Sequence, residues 1–253
     1  MQKQELRLNK ALASAGVCSR RKADELIFSG AVTVNGQRIT EPGTRISPDT
    51  DTVCVDGRTL RLSTGAEAEK HTYVLLHKPV QVVSTANDPQ GRTTVLDLLP
   101  MPYKTKRMYP VGRLDYFSEG LLLLTDDGEL THRLTHPRYH LPKEYEVTVR
   151  EDPDMRMFAL MEKGMTLAEG EKLAPVGVRT LAHTRKTFFL TLHQGINRQI
   201  RRMCRDLGLT ILRLRRIQIG PIALDGLEKG KCRLLEKQEV AQLRQAAGLS
   251  PEG

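Results

Sequence analysis

Eight consecutive residues, Ser63 to Lys70 (STGAEAEK), carry no large apolar side chain and interrupt a chain otherwise patterned for burial on both sides. A small, polar, glycine-containing stretch has nothing to give a core, so the 253 residues are expected to fold as two units rather than one. The spacing of apolar residues places a small unit at residues 1–62, a linker at 63–71, a larger unit at 72–245 and a tail at 246–253. The small unit is near the lower size limit for independent folding.

Composition narrows the classes. The longest leucine run, Leu121 to Leu124, is far below the roughly 20 apolar residues that span a bilayer, and the opening MQKQELRLNK has no signal-peptide core. A cytoplasmic protein is expected. Cys18, Cys54, Cys204 and Cys232 are far apart, which suits reduced thiols better than a disulfide framework or a zinc ribbon. Lys and Arg number 39 against 30 Asp and Glu, a net charge of +9 that points to a polyanionic partner if the excess is clustered.

In the small unit Leu8, Ala11, Leu12 and Ala15 follow helical spacing, Gly16 stops that helix, and Ser19 can cap a second whose stripe is Ala23, Leu26 and Ile27, ending at Gly30. Val32 and Val34, an Asn35–Gly36 turn, Ile39 and the DTVCVDG segment from Asp51 to Gly57 read as a small sheet. Arg20, Arg21 and Lys22 sit in the first turn of the second helix, where the macrodipole disfavours cations and a phosphate backbone would relieve the repulsion. The alternative is a solvated basic turn. The segments LNKALASAG, SRRKADELI and VTVNGQRI resemble the RNA-binding domain named after ribosomal small-subunit protein S-four, and that resemblance implies an RNA partner without naming a reaction.

The larger unit is expected to be mixed α+β, with strands at Tyr73–Leu76, Leu121–Thr125, Lys143–Val149 and Thr187–Leu192. A helix from an Asn197 cap to Gly208 puts Arg198, Arg201, Arg202 and Arg205 on one face and Ile200, Met203, Cys204 and Leu207 on the other. Residues 193–216 hold seven arginines and one acid, Asp206, so this stretch carries much of the basic excess. Like charges four residues apart repel, and an all-arginine face therefore favours a phosphate ligand over a solvated surface. With 4% aromatics, stacking along a single strand is not the main binding mode.

Cofactor signatures fail. No Gly-x-Gly-x-x-Gly occurs, and the Gly226–Lys231 segment is one residue too short for a phosphate-binding loop. His132, His136 and His140 with Glu129 have metal-like spacing, but Pro137 interrupts the helix that would align them, so no metal site is expected. Arg113 and Asp115 on an extended segment would point to one face, which by itself describes a structural ion pair.

The segment GRLDYFSEGLLLLTDDG, from Gly112 to Gly128, resembles the signature of the RsuA/RluB-type ribosomal RNA pseudouridine synthases. LPKEYEVTV at Leu141–Val149, GINRQIRRM at Gly195–Met203 and VVSTANDPQGRTTVLDLLP at Val82–Pro100 agree in order, so the resemblance extends over residues 5–235. It implies an α+β chain in which a small helix-turn-helix plus β-hairpin RNA-binding domain precedes a mixed, mainly antiparallel-sheet catalytic domain. It implies uridine isomerisation without cofactor or metal, in a monomer acting on ribosomal RNA. Asp115 would be the essential carboxylate, Tyr145 the tyrosine packed on the uracil, Arg201 the partner of the aspartate, and Arg113 a support for the RNA where the base has left. Arg20, Arg21, Lys22, Arg198, Arg202 and Arg205 are the expected RNA-binding cations. LDLLP and LRLRRIQIGPIAL look closer to the large-subunit members. Phe117 and Ile196 depart from the family's usual polar or acidic and basic residues. The competing class is a non-catalytic RNA-binding assembly protein, which would have no need of Asp115 or Tyr145.

Overall fold

The computed structural model describes residues 5–62, 71–136, 138–139 and 141–250. It divides into two compact units, residues 1–70 and 71–253. Of the expected linker only His71 is described, and it belongs to the larger unit through Asp126, 3.3 Å away.

In the small unit, β1 (Leu6–Arg7) runs into α1 (Leu8–Ser14), and α2 (Arg20–Phe28) follows after Gly16 turns the chain at φ +78°. Ser19 caps α2 by accepting from the Lys22 amide at 3.2 Å. The apolar stripe of the two helices, Leu8, Ala11, Leu12, Ala23 and Ile27, is buried against Val32, Val53 and Val55. These valines come from β2 (Val32–Val34) and β5 (Val53–Val55), which lie side by side between β3 (Gln37–Ile39) and β6 (Arg58–Thr59), while β4 (Arg45–Ile46) pairs with β1. Both hairpins turn on an Asx–Gly pair with positive φ, Asn35–Gly36 and Asp56–Gly57, the conformation a two-residue primed turn requires.

The larger unit is built on one nine-stranded sheet whose main path is β11 (Gly177–Leu181), β12 (Thr184–Leu192), β10 (Lys143–Val149), β13 (Ile211–Ile219), β9 (Glu119–Thr125), β7 (Tyr73–Lys78) and β15 (Cys232–Leu234). β8 (Tyr109–Pro110) pairs with β9 and β14 (Ile222–Ala223) with β13. Every pairing is antiparallel except β13 with β9, so the expected mainly antiparallel mixed sheet is present. β7 and β9 are buried along their whole length, as central strands covered on both faces must be. β10 alternates: Val147 and Val149 enter the core, while Glu144 and Glu146 meet Arg179 and Arg215 on the other face.

Helices α3 (Gly128–Thr135), α4 (Met155–Lys163), α5 (Gln199–Asp206) and α6 (Lys237–Ala246) complete the unit. Phe158 of α4 meets Phe188 of β12 edge to face at 5.1 Å, in a cluster shared with Ile200, Met203 and Cys204 of α5. Asp127 caps α3 through the Glu129 and Leu130 amides and also binds Tyr73 Oη and Arg244, each at 2.8 Å, which ties α6 to the sheet. Part of the tail expected from residue 246 packs on the unit: Ala247 is buried with Leu243, and Leu249 packs on the same cluster, continuing the stripe of α6. No described helix is long and apolar enough to cross a membrane.

Candidate active site

Between β8 and β9 the chain leaves the sheet as an eight-residue loop, Val111 to Ser118, that carries Arg113 and Asp115 into a cleft of about 260 Å³. The loop is pinned from several elements. Ser84 Oγ donates to the Leu114 carbonyl at 2.9 Å and accepts from its amide at 3.2 Å. The four carbonyls from Asp115 to Ser118 all have donors. Asp115 O accepts from Lys78 Nζ at 3.2 Å and the Ser118 amide at 3.0 Å; Tyr116 O accepts from the Gln81 amide at 2.7 Å. Phe117 O accepts from Arg201 Nη2 at 2.8 Å, and Ser118 O from Lys78 Nζ at 2.9 Å.

Lys78 is fully buried at the end of an apolar strand, and its ammonium is satisfied by carbonyls alone, Pro79 O at 2.9 Å being the third. Burial pulls its pKa down to about 8, although Asp115 acts in the opposite direction. Sequence reasoning missed Lys78, Gln81 and Ser84. The available signal was a lysine closing an apolar strand before Pro79, since a buried lysine must find polar partners.

Behind the loop, Gly120 permits a close backbone approach. It pairs with Arg216 across the parallel β9–β13 ladder at φ +110°, and a Cβ there would lie 2.2 Å from the Arg216 carbonyl oxygen. This contact lets β13 run beside the start of β9, so that Arg216 and Leu214 line the same cleft as Asp115.

The ion-pair partner of Asp115 is Arg201, with Nε 3.6 Å from Oδ2, and not Arg113 as the extended-segment reading has it. Arg201 also donates to Ser118 Oγ at 3.0 Å, so one guanidinium holds both the carboxylate and the turn that bears it. Burial lowers its pKa from the ordinary arginine value, with Asp115 opposing. Tyr145 projects from β10 into the same cleft, on the Val147 side of the strand. Asp115, Tyr145, Arg201, Arg113 and Arg198 thus line one space, although they are spread over the 89 positions of sequence from Arg113 to Arg201.

Helix α5 begins at Gln199, two residues after the expected Asn197 cap, because Arg198 adopts a left-handed conformation (φ +50°) that admits no helical turn before it. That turn aims Arg198 at the cleft; it has no carboxylate partner among the described residues, and neither does Arg113. Arg202 and Arg205 do not join them. They bind Glu171 and Glu169, each at 2.6 Å, carboxylates that lie distant in sequence and fold against α5. In the small unit Arg21 has no acidic partner among the described residues, Arg20 reaches Asn9 Oδ1 at 3.5 Å, and Lys22 pairs with Glu25 at 2.9 Å. The His132 and His136 rings stand 5.0 Å apart at the end of α3, His140 and Pro137 lie outside the described residues, and no group of described residues could hold a metal ion.

A carboxylate held by a guanidinium on a fixed turn, in a cleft with a tyrosine and unpaired arginines, suits chemistry on an anionic, base-bearing substrate. Residues 72–206 match the RNA pseudouridylate synthase family model, and residues 6–51 match the S4 domain. The chain is 40% identical over 97% of its length to an uncharacterized RNA pseudouridine synthase of Aquifex aeolicus, covering 96% of that protein. It is 41% identical over 95% of its length to ribosomal large subunit pseudouridine synthase B of Bacillus subtilis, again covering 96%. A crystal structure of a pseudouridylate synthase aligns with a TM-score of 0.67 at 31% identity, over 94% of this chain and 99% of that one. Sequence and fold agree on one assignment: the chain belongs to the RNA pseudouridylate synthase family.

Proposed function

We propose that this protein isomerises a specific uridine of large-subunit ribosomal RNA to pseudouridine, with Asp115 as the essential carboxylate. The observation that carries the proposal is the 3.6 Å pairing of Asp115 with Arg201 in a cleft that Tyr145 also lines. The large-subunit substrate is supported by the name of the Bacillus subtilis relative at 41% identity.

The reaction breaks the bond from ribose C1′ to uracil N1, rotates the base, forms a bond from C1′ to C5, and moves the C5 proton to solvent while N1 gains one. The redox balance is zero. The target base leaves its stack to enter the cleft. Asp115 acts on the sugar, either as nucleophile at C1′ or as base toward it, and Arg201 keeps it charged and oriented. Tyr145 packs on the uracil and assists removal of the C5 proton. Arg113 supports the RNA at the vacated position, and Arg198 binds phosphate. In the small unit Arg20, Arg21 and Lys22 anchor the RNA. Arg202 and Arg205, also expected as RNA ligands, pair with Glu171 and Glu169 and are left out of the proposed contacts. On this reading the protein acts as a monomer in the cytoplasm, where ribosomal RNA is made and assembled.

The test uses large-subunit ribosomal RNA tritiated at uracil C5, compared for the wild type and Asp115→Asn in metal-free buffer. Release by the wild type alone is expected. No release from naked RNA or from assembling subunits by a folded wild type that binds RNA would instead support a non-catalytic RNA-binding protein.

A further inference from the structure

The turn that bears Asp115 also displays two aromatic side chains that the chemistry above leaves unused. Tyr116 is 37% exposed and Phe117 63% exposed, and their rings meet edge to face with centroids 5.1 Å apart. The chain has only eleven aromatic residues, six Tyr and five Phe. Among the described residues the one other exposed aromatic is Phe28, in the other unit. Leaving a phenyl ring in water costs hydrophobic free energy that a flexible turn would recover by folding the ring down. This turn has no such freedom, because Tyr116 O is bound to the Gln81 amide and Phe117 O to Arg201 Nη2. Phe117 is therefore presented outward by the same guanidinium that holds Asp115.

The occupant follows from what adjoins it. The Phe117 carbonyl is bonded to Arg201, which lines the same cleft as Arg113 and Arg198, two cations without carboxylate partners among the described residues, so the neighbouring surface suits a polyanion. When a base is drawn out of an RNA stack, each neighbour loses one stacked face, and an aromatic ring is the side chain that replaces it. We propose that Phe117, braced by Tyr116, is the stacking platform for the nucleobase flanking the target uridine. The proposal rests on the uridine-isomerase reading of the cleft and adds a residue that positions RNA without touching the reacting atoms. Phe117 stands where the resembled family usually has a polar or acidic residue, so the platform would be a specificity feature of this chain.

The experiment measures tritium release from C5-labelled large-subunit RNA by the wild type, Phe117→Ala and Phe117→Trp. It is repeated, once the modified position is mapped, on RNA made abasic at each neighbour of the target. Loss of one aromatic–base stack should lower kcat/KM about 5- to 100-fold in Phe117→Ala. Phe117→Trp should stay within about threefold of the wild type, since indole stacks on bases at least as well. On RNA abasic at the stacked neighbour, wild type and Phe117→Ala should become equal. Equal rates for the two proteins on intact RNA would overturn the platform alone, as would a deficit that Trp does not restore or that persists at both abasic positions. Absence of release by the wild type overturns the isomerase reading and this inference with it.

Discussion

Arg201 and Arg202 are adjacent in sequence and opposite in setting. On the cleft side of segment 198–216, Arg201 shares Asp115 at 3.6 Å, Arg216 gives its Nε–H to the Leu121 carbonyl at 2.8 Å, and Arg198 meets no carboxylate among the described residues. Away from that cleft, Arg202, Arg205, Arg213 and Arg215 each meet a glutamate within 2.7 Å. Local electrostatics follow the same division. Carboxylate bonds raise the pKa of Arg202 and Arg205, whereas burial lowers those of Arg201 and Lys143, which line the cleft. Arginines already matched to glutamates have their charge compensated within the fold and gain less from RNA. Cations left short of carboxylates are the ones that a phosphate backbone stabilises.

Exchanging the two neighbours gives the largest test of this division. Arg201→Met should reduce the rate of tritium release by at least about 100-fold with RNA affinity nearly unchanged, because it frees both Asp115 and the Phe117 carbonyl. Arg202→Met should leave the rate within about twofold. Equal losses in single-turnover assays would break the comparison.

A pH series follows. Lys78 has a pKa of about 8 in the folded chain against 10.5 unfolded. Above pH 8 its amine keeps fewer hydrogens than it has carbonyls to serve, so release should fall about threefold between pH 7.5 and 8.5. Stability moves the other way: the unfolded chain binds more protons between these pKa values, so the contribution of Lys78 to unfolding free energy rises as pH goes from 8 to 10.5. In Lys78→Met both pH dependences should flatten, as read by rate profiles and by urea midpoints.

Smaller effects are expected from the single cleft cations without carboxylate partners among the described residues. Arg198→Gln and Arg113→Gln should each reduce the slope of log affinity against log salt by about 1. The double variant Arg202→Gln, Arg205→Gln should leave that slope unchanged and lower Tm by at most a few degrees. A slope that fell equally in the double variant would return those two arginines to the RNA surface.

The division was half legible in the sequence. Helical spacing located Leu8–Ile27, the Asn35–Gly36 turn placed its hairpin, and alternation marked Lys143–Val149 with matching ends. The motif around Arg113 and Asp115 pointed to the loop that lines the cleft. Charge counting along the chain could not go further. The carboxylates that neutralise Arg202, Arg205 and Arg213 are Glu171, Glu169 and Glu119, at least 31 residues away, and only the fold brings them close. For the same reason β13 escaped notice as a strand: Arg213, Arg215 and Arg216 give it a polar composition, while its burial depends on pairing with β9 and β10. Lys78 was hidden because its three acceptors are backbone carbonyls, which leave no trace in residue type.

The fully bonded turn from Asp115 to Ser118 has a kinetic consequence. With each of its four carbonyls engaged, the turn can change conformation only by breaking hydrogen bonds, so adaptation during an encounter falls mainly to the RNA. The association rate and apparent affinity are then scaled by the fraction of time that the substrate spends with its uridine unstacked. Selectivity among the many uridines of a ribosomal RNA would accordingly begin with how often each one opens, before contacts such as the Phe117 stack come into play.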